Sequence, residues 1–265
     1  MKLSVVIPAH NEEGSIAATV QDLYSSLSAA QIEHEILVVN DGSLDRTSEI
    51  LRGLLRETPT LRCLVNPFPL GFGIAVRKGL ASCSGEAVAI FMADGSDLPT
   101  DLIRFFHAMT ANDLDCVFGT RFSKESTLID YPFLKLILNR CANTFIRVLF
   151  GLRYNDLTNA FKLYRRHVIE GLHPLLSHHF NLTVELPLKA IVRGYTYDVL
   201  PNSWANRKLG ESKLKIKEMG SRYLFIVIYC FIEKWLSRGD YHRDSQEARH
   251  ASHKHAGALS DPDRS

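Results

Sequence analysis

The chain is short of cysteine, of long apolar runs and of net charge, and each shortage excludes a class of protein. Its five cysteines (Cys63, Cys83, Cys116, Cys141, Cys230) are odd in number, scattered and never at CxxC spacing. That usage argues against a disulfide framework and a zinc site, and suggests a reducing cytoplasm. The first apolar run, Leu3 to Ile7, is too short for the h-region of a signal peptide. The longest, Tyr223 to Ile232, falls well short of the roughly 20 residues that a membrane-spanning helix needs. Lysine and arginine number 31 and acidic residues 29, a net charge of +2 over 265 residues. This balance excludes a polycation that coats nucleic acid, and no nucleic-acid partner is expected; it equally excludes an acidic disordered chain. Any chemistry of charge has to be local.

What is present is a globular composition, 46% hydrophobic and 23% charged, enough for one large α/β domain or two small ones. Leu3–Ile7 is a β-branched run closed by Pro8 and predicts a buried strand. Helical spacing of Ile16, Val20, Leu23 and Leu27 predicts a helix over 13–29, and strand character resumes over Ile36–Val39. The alternation continues with helices over 45–56, 71–81 and 101–111 and strands over 62–65, 87–92 and 115–119. Repeated βαβ units predict an α/β, doubly wound, mostly parallel sheet whose ligand crevice lies at the carboxyl ends of its strands. The second half is more helical, with helices expected over 132–150, 182–193 and 214–236. Past Arg238 large apolar residues nearly vanish, so a disordered tail is expected. Its His242, His250, His253 and His255 lack the scaffold a metal site needs.

Polar residues gather where that crevice would form. The first strand runs into Pro8-Ala9-His10-Asn11-Glu12-Glu13, the second into Asn40-Asp41-Gly42-Ser43-Leu44-Asp45, the fourth into Met92-Ala93-Asp94-Gly95-Ser96-Asp97. Each Asp-Gly segment alone is ordinary turn chemistry. Carboxylates from three strand ends, however, repel one another unless a cation or donor groups compensate them. Such oxygen ligands suit Mg²⁺ or Mn²⁺ shared with a phosphorylated ligand.

These segments, with Gly71-Phe72-Gly73-Ile74-Ala75, Gly119-Thr120-Arg121-Phe122, Asp156 to Lys162 and Arg207 to Lys213, resemble in order the signatures of glycosyltransferase family 2, and most of all its dolichol- and polyprenyl-phosphate sugar synthases. The resemblance implies the GT-A fold over residues 1–236: a nucleotide-sugar-binding half (1–122), an acceptor half (123–213) and a C-terminal amphipathic helix (214–236), followed by the tail 237–265. It implies an inverting transfer of sugar from a nucleotide-diphosphate sugar, of GDP-mannose or UDP-glucose type, to a polyprenyl or dolichyl phosphate. On the matching positions Pro8, His10, Glu12, Asp41, Gly73 and Asp94 would bind the nucleotide sugar, and Asp94 with Asp97 the Mg²⁺ or Mn²⁺. Two departures are visible: His10 replaces the family's usual Tyr, and Asp94-x-x-Asp97 replaces Asp-x-Asp. Arg207 and Lys213 would clamp the diphosphate; Arg121, Arg140 and Asn143 would meet the acceptor phosphate; Glu185 matches a recurring Glu. A phosphate acceptor is already ionised and needs no base, whereas a saccharide or lipid hydroxyl needs one, for which the motif offers Asp156. Asp156 otherwise anchors its loop. A catalytically silent nucleotide-sugar-binding protein stays open as a third reading. The last helix either packs on the domain or lies in lipid headgroups, giving peripheral contact at the cytoplasmic face of a membrane.

Overall fold

The computed structural model describes residues 1–206 and 216–244, with the side chains of 216–219 outside that description. Seven strands form the central sheet: β1 (Leu3–Ala9), β2 (His34–Asn40), β3 (Leu61–Val65), β4 (Ala87–Ile90), β5 (Cys116–Thr120), β7 (Lys162–Arg165) and β8 (Tyr197–Pro201). Their order is β3-β2-β1-β4-β7-β5-β8, and a second, two-stranded sheet pairs β6 (Leu128–Ile129) with β9 (Trp204–Ala205). Every neighbour pair in the large sheet is parallel except those of β7, which runs antiparallel to both β4 and β5.

Side-chain alternation sets the layers. Val5, Ile7, Ile36, Val38 and Ala89 face a core shared with α1 (Ile16–Ala29), α2 (Thr47–Glu57) and α4 (Pro99–Ala111). Val6, Leu37, Val88, Ile90 and Phe118 face the opposite core, closed by α3 (Phe72–Ser82), α5 (Phe133–Phe150), α6 (Arg166–Gly171), α7 (Leu182–Val192) and α8 (Ile216–Leu236). With both faces covered, strands read as continuous apolar runs, as β1 does at seven buried positions out of seven.

The chain continues past the expected domain end at 236. The Arg193 guanidinium lies 5.0 Å from the Tyr241 ring centroid, Arg243 N–H donates to Arg193 C=O at 2.9 Å, and Arg243 Nη1 reaches Asp115 Oδ2 at 3.3 Å. Residues 237–244, assigned on composition to a disordered tail, are thus tied down by polar contacts that leave no apolar signature. The rest of the expected tail, 245–265, lies outside the described residues.

Candidate functional site

The parallel register brings the ends of β1 and β2 level, Ala9 opposite Asn40, so the following turns meet at one sheet edge. Much of the polar sequence there laces the two turns together. Asn11, at φ 52°, occupies the left-handed region that Asn tolerates, and its Oδ1 accepts from Leu44 N at 2.8 Å. Ser43 Oγ, Asp45 Oδ2 and Thr47 Oγ1 accept from Asn11, Glu13 and Glu12 N–H respectively. His10 Nδ1 lies 2.6 Å from the Asp41 carbonyl oxygen, which can only accept, so Nδ1 carries a proton. Asp41 is buried, its Oδ1 accepting from Asn66 Nδ2 at 2.6 Å and its Oδ2 from Gly71 N at 2.9 Å.

Gly71 and Gly73 allow a second loop to close on that carboxylate. A Cβ on Gly73 would lie 2.7 Å from both the Ser177 carbonyl oxygen and the His178 carbonyl carbon. Glu185 fixes this loop from beneath: fully buried, it accepts from the N–H groups of Leu176 and Ser177 and from Lys189 Nζ, each at 2.7 Å. Glu185 therefore has a positioning place in the structure.

After β4 the backbone turns at Gly95 (φ 69°). Asp94 Oδ1 accepts from Ser96 N at 3.1 Å and Asp97 Oδ2 from Met92 N at 3.2 Å. Burial, with the negative charge of Asp94 next in size, pushes the Asp97 carboxyl up to about 7. Two hard carboxylates in this mutual repulsion form a donor set suited to a divalent ion that keeps phosphate and water ligands. Among the described residues no group of three or more His, Cys, Asp or Glu side chains forms an all-protein cage.

Directly after β5, Arg121 forms a two-pronged ion pair with Asp156. Arg121 Nε donates to Asp156 Oδ2 at 2.8 Å and Nη2 to Oδ1 at 2.7 Å, while Arg121 N–H adds a third bond to Oδ2 at 2.9 Å. Burial opposes the Arg121 charge, but the Asp156 carboxylate overrides it and raises the guanidinium's pKa. Lys162, fully buried behind them, donates from Nζ to the carbonyls of Leu157 (3.1 Å), Asn159 and Thr183 (3.2 Å). Burial lowers its pKa to about 7 against the opposing pull of Asp156.

These elements enclose one cavity of about 440 Å³. Of the residues expected in it, Pro8, His10, Glu12, Asp41, Asp94, Asp97 and Arg121 line it. Four others do not. Gly73 lies beneath the loop it admits; Asp156 is fully buried behind Arg121, with both oxygens already accepting. Asn143 is also buried, bonded to Asn139 C=O at 2.8 Å and Thr158 Oγ1 at 2.9 Å, and it positions Thr158 rather than meeting a ligand. Arg140 sits exposed, 5.0 Å over the Phe122 ring. Arg207 and Lys213 lie outside the described residues. The lining also includes Lys135, Asn139, His179, Trp204 and Tyr223, none of them singled out from sequence. Lys135 Nζ is 5.3 Å from the Tyr131 ring and 5.1 Å from the Trp204 ring, a cation held between aromatic faces. A sequence signal for it exists: Lys135, Asn139 and Asn143 form an i, i+4, i+8 polar stripe along α5.

Comparison with known proteins supplies the context. Residues 4–172 match the family model described as glycosyl transferase family 2. The chain is 30% identical over 216 residues to polyprenol monophosphomannose synthase of Mycolicibacterium smegmatis, covering 79% of this chain and 80% of that one. It is 26% identical over 242 residues to undecaprenyl-phosphate mannosyltransferase of Micrococcus luteus, covering 89% and 96%. Among solved structures, glucosyl-3-phosphoglycerate synthase of Mycobacterium tuberculosis, crystallised with Mn²⁺, UDP-glucose and phosphoglyceric acid, superposes at a TM-score of 0.63 with 17% identity over 88% of this chain and 79% of that one.

Proposed function

The chain belongs to glycosyl transferase family 2, and from that premise we propose that it transfers a hexose from a nucleoside diphosphate sugar to a polyprenyl phosphate, with inversion. Mannose stands in the names of both sequence relatives and is the sugar favoured, which favours a donor of GDP-mannose type over one of UDP-glucose type. The observation that carries the reading is the make-up of the cavity: Asp41, Asp94 and Asp97 from the strand-end turns share it with Arg121, just after β5, and Lys135 on α5. Acidic groups suit a metal-bound diphosphate, and cations suit a second phosphate.

In this reading Pro8, His10, Glu12 and Asp41 hold the base and ribose, and Gly73 lets the loop after α6 approach them. Asp94 and Asp97 would hold Mg²⁺ or Mn²⁺, which when bound offsets the diphosphate charge. Arg207 and Lys213 are assigned to the leaving diphosphate. Arg121, its fork held by Asp156, and Lys135 receive the acceptor phosphate. One ionised acceptor oxygen attacks the anomeric carbon from the face opposite the diphosphate. The new C–O bond forms as the old one breaks, its electron pair leaving on the nucleoside diphosphate, so the centre inverts. No proton needs a base, in keeping with Asp156 lying outside the cavity with both oxygens engaged.

A donor screen by thermal shift tests the first half. A true donor at a hundred times its Kd adds about 2.7 kcal/mol of stability, and the shift requires Mg²⁺ or Mn²⁺. Radiolabelled transfer to a polyprenyl phosphate tests the second. Full activity of Asp94→Ala at saturating donor overturns the metal assignment; donor binding without transfer to any polyprenyl phosphate overturns the enzymatic one.

A further inference from the structure

One buried cation stands outside the transfer chemistry. Lys162 opens β7 and is 2% exposed, and its strand partners, Ile90 on β4 and Phe118 on β5, carry no charge. An ammonium in such a place is costly unless its donors are met. Its three N–H groups go to three carbonyls, those of Leu157, Asn159 and Thr183, which satisfies the side chain completely. Among the described residues no carboxylate lies within bonding distance of Nζ. An apolar side chain of similar volume would fill the same strand position without the desolvation cost, so the charge itself has to be accounted for.

The three acceptors belong to the cavity wall. Thr158, Asn159 and Ala160 line the cavity from the loop ahead of β7, and Thr183 lines it from the first turn of α7. Nζ therefore pins that loop to α7 from behind. Charge gives a second consequence. Arg121 spends Nε and Nη2 on Asp156 at 2.8 and 2.7 Å, so the pair is formally neutral and by itself attracts an anion weakly. Lys162 lies within electrostatic reach of both partners, and with it the buried group of three carries one positive charge. Asp97, on the turn after β4, is the other charge that acts on Lys162. On α7 Glu185 and Lys189 neutralise each other at 2.7 Å, and from α8 Tyr223 presents a hydroxyl that donates to Phe180 C=O at 3.2 Å.

We propose that Lys162 is a positioning residue for the acceptor phosphate: its ammonium holds the 157–159 segment against α7 and restores, behind Arg121, the positive charge that Asp156 cancels. The inference rests on the polyprenyl phosphate reading and deepens it. Lys162 touches no ligand, and it acts through Arg121 and the wall carbonyls.

Calorimetric titration of the full-length protein with geranyl phosphate tests this, with GDP and Mg²⁺ saturating throughout so that the carboxylates across the cavity stay in one state. Lys162→Met should weaken geranyl phosphate about tenfold or more, the effect of one charge lost at about 10 Å in a medium of effective dielectric about 20. Lys162→Gln, which keeps hydrogen-bond donors but no charge, should lose as much, and GDP affinity should be unchanged in both. The wild type supplies a second reading. Burial brings Lys162 down to about 7, whereas a phosphate monoester has already lost its second proton, at about 6. From pH 7 to 9 the wall thus loses its surplus charge while the ligand keeps its own, and wild-type affinity should fall about tenfold. Lys162→Met should show no such slope. The wild-type slope decides the matter even where a variant does not fold. Wild-type protein that binds no geranyl phosphate, or binds it equally from pH 7 to 9, would overturn the proposal, as would either variant binding it like the wild type or losing GDP affinity in proportion. Geranyl phosphate bound with these dependences but never glycosylated counts against the proposed function alone, because binding is read independently of turnover.

Discussion

Replacing Asp156 by Asn separates the two roles that its motif allows. The side chain is fully buried, and Arg121 beside it is 7% exposed, so the neutral amide would leave a guanidinium in a dry site without its counter-charge. Breaking a buried pair from one side costs about 3–5 kcal/mol, and in a chain of this size each kcal/mol moves the melting temperature by about 2–4 °C. The expected fall is therefore about 6–20 °C. Removing both charges, with Arg121→Met and Asp156→Leu together, should recover most of that loss, because a well-packed apolar pair is often as stable as the ion pair it replaces. Transfer should not recover with it. Arg121 Nε and Nη2 are consumed by Asp156, which leaves Nη1, 3.5 Å from Tyr131 Oη, for an acceptor phosphate. The assays are differential scanning calorimetry on the two single variants and the double, and acceptor KM and kcat at saturating donor. Asp156→Asn with a wild-type melting temperature, unchanged acceptor KM and abolished turnover would refute the anchoring argument and restore Asp156 as a general base.

Three further outcomes follow from the same geometry. Gly73→Ala drives a methyl group to 2.7 Å from two backbone atoms of the 177–178 segment, so stability should fall by about 1–3 kcal/mol and donor-induced thermal shift should shrink with it; a fully wild-type melt would show that the loop yields freely. Glu35 is buried, which alone would raise its pKa, but donors on Ser4, Ser84 and Arg62 hold it down to about 2 from an ordinary 4.5. A depressed carboxylate contributes stability that is complete above 4.5 and lost as pH falls toward 2. Urea melts should thus lose about 2–3 kcal/mol across that window, and Glu35→Gln should flatten this part of the profile. Glu233→Gln should destabilise by about 3 kcal/mol and increase hydrogen exchange in α8, since Arg193 Nε and Nη2 bind its carboxylate at 2.7 and 3.0 Å; unchanged exchange would detach that pair from the seating of the helix.

The parallel half of the fold was legible because its strands are buried on both faces and its helices on one, so hydrophobic period and burial coincide. Strand β7 was not. Lys162-Leu163-Tyr164-Arg165 is short and bounded by cations, yet it runs antiparallel between two central strands, with its lysine buried against three carbonyl acceptors, two just upstream and one on α7. No local pattern encodes the pairing with β4 and β5 or the acceptor supplied by Thr183. Site residues divide along the same line. His10, Asp41, Asp94 and Asp97 follow apolar runs and fall where strands end, so their place at the sheet edge is a consequence of topology. Asp156 and Arg121 are 35 positions apart, and sequence shows that both are ionisable without showing that each is the other's partner. Arg140, with Asn143 assisting, was put forward on charge alone, but helix geometry buries Asn143 against Asn139 and Thr158 and turns Arg140 outward.

The same buried pairs explain why the cavity can hold opposite charges on separate walls. Asp41 is clamped by Asn66 and Gly71, and Arg121 by Asp156, so neither side chain is able to swing toward the other and neutralise the site. At an effective dielectric of about 20, an unrestrained pair 4 Å apart would gain about 4 kcal/mol by collapsing together. Each charged wall is instead held by its own set of bonds: Asp41 to the β3–α3 connection, Arg121 to the loop before β7. On the proposed function, pre-organisation of this kind would let the cavity receive a diphosphate and a lipid phosphate without first breaking an internal salt bridge between the walls. An uncoupled site also predicts a simple kinetic signature. Substitutions at Asp41 should alter donor KM with little effect on acceptor KM, and substitutions at Lys135 the reverse. Strong coupling between Asp41→Asn and Lys135→Met in a double-mutant cycle on kcat/KM would contradict the separation of the two walls.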